Sequence, residues 1–287
     1  MKTYHDIRGD GGSDLVGQVE AQERAMREAL ARVRHLVAIG SGKGGVGKST
    51  VTLALARALR AEGREVAILD GDFNGPCQAR LAGLEAVPWI PGEGGLAMPR
   101  TADGIGVVSF GSLLGEARPL ELDSVAQGVE HIWRATREFA LLGQLLSSVD
   151  WGRLDFLLFD LPPGAERTVQ FAQFLGPEAA FVLVTIPSEL SRGVVARSAA
   201  ALERTINPVL GYIENMAGYL CRGCGEVRPL FPRSEVELSI PRLGAIPFDP
   251  ELAAASDLGG SYPQDLEAGR AVAEAAGRIV QSLEPRR

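Results

Sequence analysis

Apolar residues along this chain recur in two different rhythms. From Gly17 to Val33, the positions Val19, Met26, Leu30 and Val33 repeat at helical spacing among Ala, Glu and Arg, which predicts an N-terminal helix. Beyond it come short runs that are apolar on successive residues: "HLVAI" (35–39), "EVAILD" (65–70), "GVVSF" (106–110), "FLLFD" (156–160), "AFVLVTI" (180–186), "VLGYI" (209–213) and "RLGAI" (242–246). A strand wet on one face alternates, whereas a run without alternation predicts a parallel strand buried on both faces. Helical or loop segments separate the runs. The first of them, "KSTVTLALARALRAEG" (48–63), has Gly63 as its C-terminal stop. The pattern predicts an α/β fold built on a doubly wound, mostly parallel sheet.

Residues 1–34 read as an extension carrying one helix, and residues 35–287 as a single domain. Two stretches interrupt its alternation. Gly83 to Gly106 is rich in Gly and Pro and reads as an excursion over the binding edge; Tyr219 to Pro241 reads as an insertion holding a cysteine pair. The last run, "RAVAEAAGRIVQSLEPRR", has few bulky apolar residues and little basic charge on its opposite face. It predicts a packed terminal helix, not a membrane anchor.

Composition narrows the function classes. A chain of 287 residues, 46% hydrophobic, can bury one sizeable core. A formal net charge of −7 argues against a general nucleic-acid binder, which needs a basic surface to neutralise phosphates. The opening residues lack the apolar stretch of a signal peptide, and no apolar run has membrane length. Three cysteines, two of them spaced C-x-x-C, suit a reducing compartment better than a disulfide framework, so a cytoplasmic protein is expected.

The chemistry centres on "GKGGVGKS", Gly42 to Ser49, which fits G-x-x-x-x-G-K-[ST] between a predicted strand and a predicted helix. Its glycines allow successive backbone N–H groups to turn toward a phosphate, and the helix N-terminus adds a favourable dipole. Lys48 is expected on the β- and γ-phosphates, with the Ser49 hydroxyl on Mg²⁺. Two strand ends supply carboxylates: Asp70 and Asp72 in "AILDGDFNGP", and Asp160 in "LLFDLPPG". Such an Asp is often only a turn former, but beside a phosphate loop it suits Mg²⁺.

A second lysine, Lys43, sits in the same loop, five positions before Lys48. With "GKGGVGKST" complete, the chain resembles the deviant Walker A ATPases of the MinD and ParA type, and most closely their Mrp-type iron–sulfur carriers. The resemblance implies ATP as ligand, with residues Gly42, Lys43, Gly44, Gly45, Val46, Gly47, Lys48, Ser49 and Thr50 around its phosphates. It also implies a nucleotide-bound homodimer in which Lys43 crosses to the partner's phosphates. "LDGDFNGP" resembles a switch segment in which Asp72 orients the attacking water. "GYIENM" before "YLCRGCGE" resembles the stretch in which an asparagine, here Asn215, contacts adenine. "GAIPFDPELAAASDLG" resembles the segment whose backbone, here around Pro247, borders the base. The chain departs from that pattern where "AER" follows Gly164, and where Cys77 takes a position usually held by serine.

Cys221 and Cys224 frame a tight turn, so both sulfurs can face one centre. A [4Fe–4S] cluster held by thiolates alone needs four ligands, and two chains of this sequence supply them. A redox dithiol, a zinc site shared by two chains and an inert pair are the competing readings. Cys77 has no partner in sequence and reads as a buried thiol. Trp89, Trp133 and Trp151 read as packing aromatics, and His5, His35 and His131 support no triad. The expected function is an ATP-hydrolysing carrier that passes a cluster to apo-proteins, binding neither nucleic acid nor membrane. The alternative is a ParA- or MinD-like positioning ATPase acting on DNA or membrane.

Overall fold

A computed structural model describes residues 15–85, 87–92, 94–110, 130–221, 223–232, 234–257, 259–260 and 266–284. In chain order the elements are α1 (Leu15–Leu30), β1 (Val33–Ser41), α2 (Lys48–Ala61), β2 (Val66–Asp70), α3 (Gln78–Leu81), β3 (Ile90–Gly92), β4 (Gly95–Ala97) and β5 (Gly106–Val108). They continue with α4 (Glu130–Ser148), β6 (Val149–Asp150), β7 (Leu154–Asp160), α5 (Ala165–Leu175), β8 (Ala179–Thr185), α6 (Glu189–Leu202) and β9 (Val209–Leu220). The last are β10 (Val227–Arg228), β11 (Arg242–Phe248), α7 (Pro250–Asp257) and α8 (Glu267–Leu283).

Among the described residues the main sheet has eight strands, ordered β10-β9-β8-β1-β7-β2-β5, with β11 pairing β9 outside that path. All pairs but the β9–β10 hairpin are parallel. Successive residues of β1 serve opposite faces. Val37 and Ile39 join the layer containing Leu55, Leu59 and Ile279, while Leu36 and Ala38 join the layer with Leu146, Trp151 and Phe171. Both layers are closed by helices, α2 and α8 on one side and the pairs α1–α4 and α5–α6 on the other. That double burial is why the strands read as unbroken apolar runs.

Strand pairing overrides periodicity at one boundary. Val33 continues the helical spacing in sequence, yet α1 ends at Leu30 and Val33 opens β1, in register with Leu154 of β7. The β-branched side chain suits the sheet it is offered. Gly63 follows α2 at φ 81°, as its stop role requires. The Gly- and Pro-rich excursion folds into its own small sheet, β3 antiparallel to β4 and β4 parallel to β6. Trp151 packs in the core as expected, its Nε1 donating to the Leu146 carbonyl at 2.8 Å; the side chains of Trp133 and His131, and His5, lie outside the described residues. The terminal helix α8 buries Ala268, Val272, Ala275, Ala276 and Ile279 against the sheet and α2. No helix among the described residues is long and apolar enough to cross a membrane.

Candidate functional site

The parallel strands β1, β2 and β7 end together, and their C-terminal edge carries the site. β1 ends at Ser41 and α2 opens at Lys48, so the loop between them turns within six residues. Gly45 and Gly47 adopt φ values of 77° and 78°, where a side chain would be strained. A Cβ on Gly47 would lie 2.3 Å from Asn215 Nδ2, and one on Gly42 would lie 2.4 Å from Val194 Cγ1. The glycines therefore serve two purposes, turning the loop and admitting β9 and α6 against its back. A cavity of about 290 Å³ opens over the loop, lined by residues 43–50 together with Ser41, Asp72, Cys77, Leu81 and Pro163. Lys43 is half-buried along its wall.

Beneath the loop, β2 and β7 set Asp70 and Asp160 side by side in register, each at most 1% exposed. Lys48 Nζ forms an ion pair with Asp160 Oδ1 and donates to Ser49 Oγ at 3.3 Å. The Thr52 hydroxyl lies 3.4 Å from the same carboxylate oxygen, and Gln78 Nε2 donates to Oδ2 at 2.7 Å. Asp70 Oδ2 accepts from the backbone N–H groups of Cys77 and Gln78 at 2.8 and 2.9 Å and from the Ser109 hydroxyl at 3.1 Å. Burial, then the neighbouring Asp160, pushes the Asp70 carboxyl up to about 7 despite those bonds. Two dry carboxylates thus face one ammonium. With the Ser49 hydroxyl as a third oxygen, the donor set is hard and negatively charged, which fits Mg²⁺. Asp72 differs: half-buried on the cavity wall, its Oδ1 accepts from the N–H groups of Asn74 and Gly75 at 3.2 Å each, which fixes the turn that carries it.

The far wall is β9. Asn215 is 8% exposed and its Nδ2 donates to the Val46 carbonyl at 2.9 Å, so the strand is tied directly to the loop. Ile246 on β11 is in register with Asn215, and the next matched pair is Phe248 with Tyr219, which leaves Pro247 opposite a bulge of three residues. Met216 takes φ 53° in that bulge. The neighbouring Glu214, 4% exposed, is held by Arg192 Nε and Nη2 at 2.9 and 2.5 Å. β9 then runs on to Leu220, so Cys221 follows the same strand that carries Asn215. The cysteine turn is closed by Gly225 N–H to the Cys221 carbonyl at 2.7 Å, with Gly225 at φ 73°. Hydrogen bonding from the Cys224 backbone N–H, then from its side chain and from the Gly223 N–H, holds the Cys221 thiol below its usual range and favours thiolate. Cys224 is exposed. Among the described residues no third His, Cys, Asp or Glu joins the pair in a metal-holding group.

Every residue expected around the phosphates lies at this edge, with Asn215 and Pro247 on adjoining strands beside it. The cysteine pair lies at the far end of β9. Cys77, expected as a buried thiol, is instead half-buried on the cavity wall; burial, then Asp70, raises its pKa to about 11, which keeps it protonated. Gln78, Thr52 and Ser109 were not anticipated from sequence, because single polar residues at the starts of helices or after strands have no period to expose them.

Comparison with known proteins agrees with this geometry. Residues 32–284 match the family model described as the NUBPL iron-transfer P-loop NTPase of the ParA group. The chain is 35% identical over 272 residues to the iron–sulfur cluster carrier protein of Methanocaldococcus jannaschii, covering 92% of this chain and 90% of the relative. It is 38% identical over 250 residues to the cytosolic Fe–S cluster assembly factor NUBP1 homolog of Brugia malayi, covering 83% and 77%. Among solved structures, a nucleotide-binding protein in complex with ADP from Archaeoglobus fulgidus aligns with a TM-score of 0.69 at 34% identity, over 83% of this chain and 91% of that one. The cell division ATPase MinD of Pyrococcus furiosus shares the fold, with a TM-score of 0.60 at 24% identity over 87% and 99%.

Proposed function

Since this chain belongs to the NUBPL iron-transfer P-loop NTPase family, we propose that it is an ATP-dependent carrier of iron–sulfur clusters. It acts as a homodimer in the reducing cytoplasm, holds a [4Fe–4S] cargo between Cys221 and Cys224 of both subunits, and hands it to apo-proteins. One observation carries the reading: Asn215 of β9 donates to the Val46 carbonyl of the phosphate loop and the strand ends next to Cys221, so one strand ties the loop to the cysteine turn. A change in Asn215's contact with the loop is felt by the segment that holds the thiols.

Lys48 leaves Asp160 for the phosphates when nucleotide enters, and Lys43 of each subunit reaches the partner's phosphates, adding charge only in the closed dimer. Ser49, Asp70 and Asp160 would hold Mg²⁺, which when bound would neutralise phosphate charge. Asp72 orients the water that attacks the γ-phosphate. Asn215 and the backbone around Pro247 contact adenine. A Cys221 thiolate is the form that ligates iron.

The test is anaerobic reconstitution with iron and sulfide. The expected result is about four iron atoms per dimer, with the absorbance of a cluster, and transfer to an apo-protein acceptor that responds to ATP. A protein that takes up zinc but never iron with sulfide overturns the cargo assignment.

A further inference from the structure

Gln78 has a more specific position than its place in a four-residue helix suggests. Its side chain is 0% exposed, and its Nε2 donates both to Asp160 Oδ2 at 2.7 Å and to the Ser49 carbonyl at 3.0 Å. Both partners are acceptor-only oxygens, so the amide nitrogen must face them and the amide oxygen must face away. Its own backbone N–H donates to Asp70 Oδ2 at 2.9 Å. One residue thereby touches the three segments that carry Ser49, Asp70 and Asp160. Its Oε1 is buried and has no hydrogen-bond partner among the described residues. A buried acceptor left unpaired is destabilising. A hydrophobic side chain of the same length would avoid that cost, if filling the space were all that Gln78 did.

We propose that Gln78 is a positioning residue of the Mg²⁺–nucleotide site: its Nε2 fixes the orientation of the Asp160 carboxylate that would hold the cation. In the structure Asp160 Oδ1 is paired with Lys48 and Oδ2 with Gln78. When Lys48 transfers to the phosphates, Oδ1 is released while Oδ2 stays clamped, so the carboxylate keeps one orientation instead of swinging. Partners of this kind, one step removed from the metal, tune affinity by orienting its ligands.

This role rests on the Mg²⁺–nucleotide reading of the site, and the experiment separates the two. Mn²⁺ binding to the ADP complex is followed by electron paramagnetic resonance, and ADP affinity is measured separately in EDTA. Gln78→Met, close in length and without hydrogen-bonding groups, should weaken Mn²⁺ binding by about tenfold or more. Metal-free ADP affinity should stay within about twofold, a split that a purely structural role does not produce. Equal Mn²⁺ affinity in wild type and Gln78→Met, with or without a lower melting temperature, overturns the proposal. Absence of ADP-dependent Mn²⁺ binding in the wild type overturns the metal reading itself, and this role with it. Should Gln78→Met fail to fold, the titration is read on Gln78→Asn, whose amide is retracted by one methylene and should show the same split.

Discussion

Replacing Lys48 by methionine tests the resting state of the phosphate loop. Lys48 is 7% exposed and its ion-pair partner Asp160 is fully buried, so the substitution keeps the bulk and strands a dry carboxylate. Removing one partner of a buried pair costs about 3–5 kcal/mol. Asp160 keeps its bond from Gln78 and the Thr52 hydroxyl, and Lys48 borders a cavity that admits water, so the lower end, about 3 kcal/mol, applies. In a chain of this size each kcal/mol moves the melting midpoint by roughly 2 °C, which predicts a fall of about 6 °C without nucleotide. The double variant Lys48→Met/Asp160→Asn removes the stranded charge and should recover at least about half of the loss. Thermal melts of the nucleotide-free protein in EDTA measure all four members of the cycle. A Lys48→Met midpoint within 2 °C of wild type, or strictly additive single effects, refutes the reasoning. The same pair has a binding consequence: Asp160→Asn frees Lys48 and should tighten metal-free ADP binding, while weakening the gain that Mg²⁺ brings.

Lys43→Ala should retain ADP affinity within about threefold but lower ATP turnover by about a hundredfold, because its cation matters only where two subunits meet; single-turnover hydrolysis beside equilibrium binding separates the two. Cys221→Ser or Cys224→Ser should abolish stable cluster uptake, read as iron per dimer after reconstitution, with ADP affinity unchanged; retention of a full cluster by either variant would refute the ligand assignment. Gly47→Ala puts a side chain at φ 78° and 2.3 Å from Asn215 Nδ2. A left-handed non-glycine costs about 1–2 kcal/mol, so ADP affinity should fall at least about fivefold, measured by calorimetry. Arg192→Ala leaves the buried Glu214, among the described residues, with the longer 3.6 Å contact to Arg242 and should lower stability by about 2–3 kcal/mol in urea unfolding.

Sequence alone determined the features whose physics is local. The phosphate loop is one contiguous segment between a strand and a helix, so its place and its turn were legible. The parallel strands were legible because burial on both faces leaves a run with no polar break, as in "FLLFD" and "AFVLVTI". The roles expected of Asn215 and Pro247 rest on a resemblance, since nothing in their own spacing marks them. The tertiary structure decided what depends on residues far apart in the chain. Val33 joined a strand because β7 offered it a partner, and the excursion became a sheet because β6 lay beside β4. Lys48 rests on Asp160 across a separation of 112 residues, and Gln78 reaches the same carboxylate across 82. Cys77 stands on the cavity wall and not in the core for the same reason. A lone polar side chain carries no period and no motif, so its partner is chosen only when the sheet brings the strand ends to one edge.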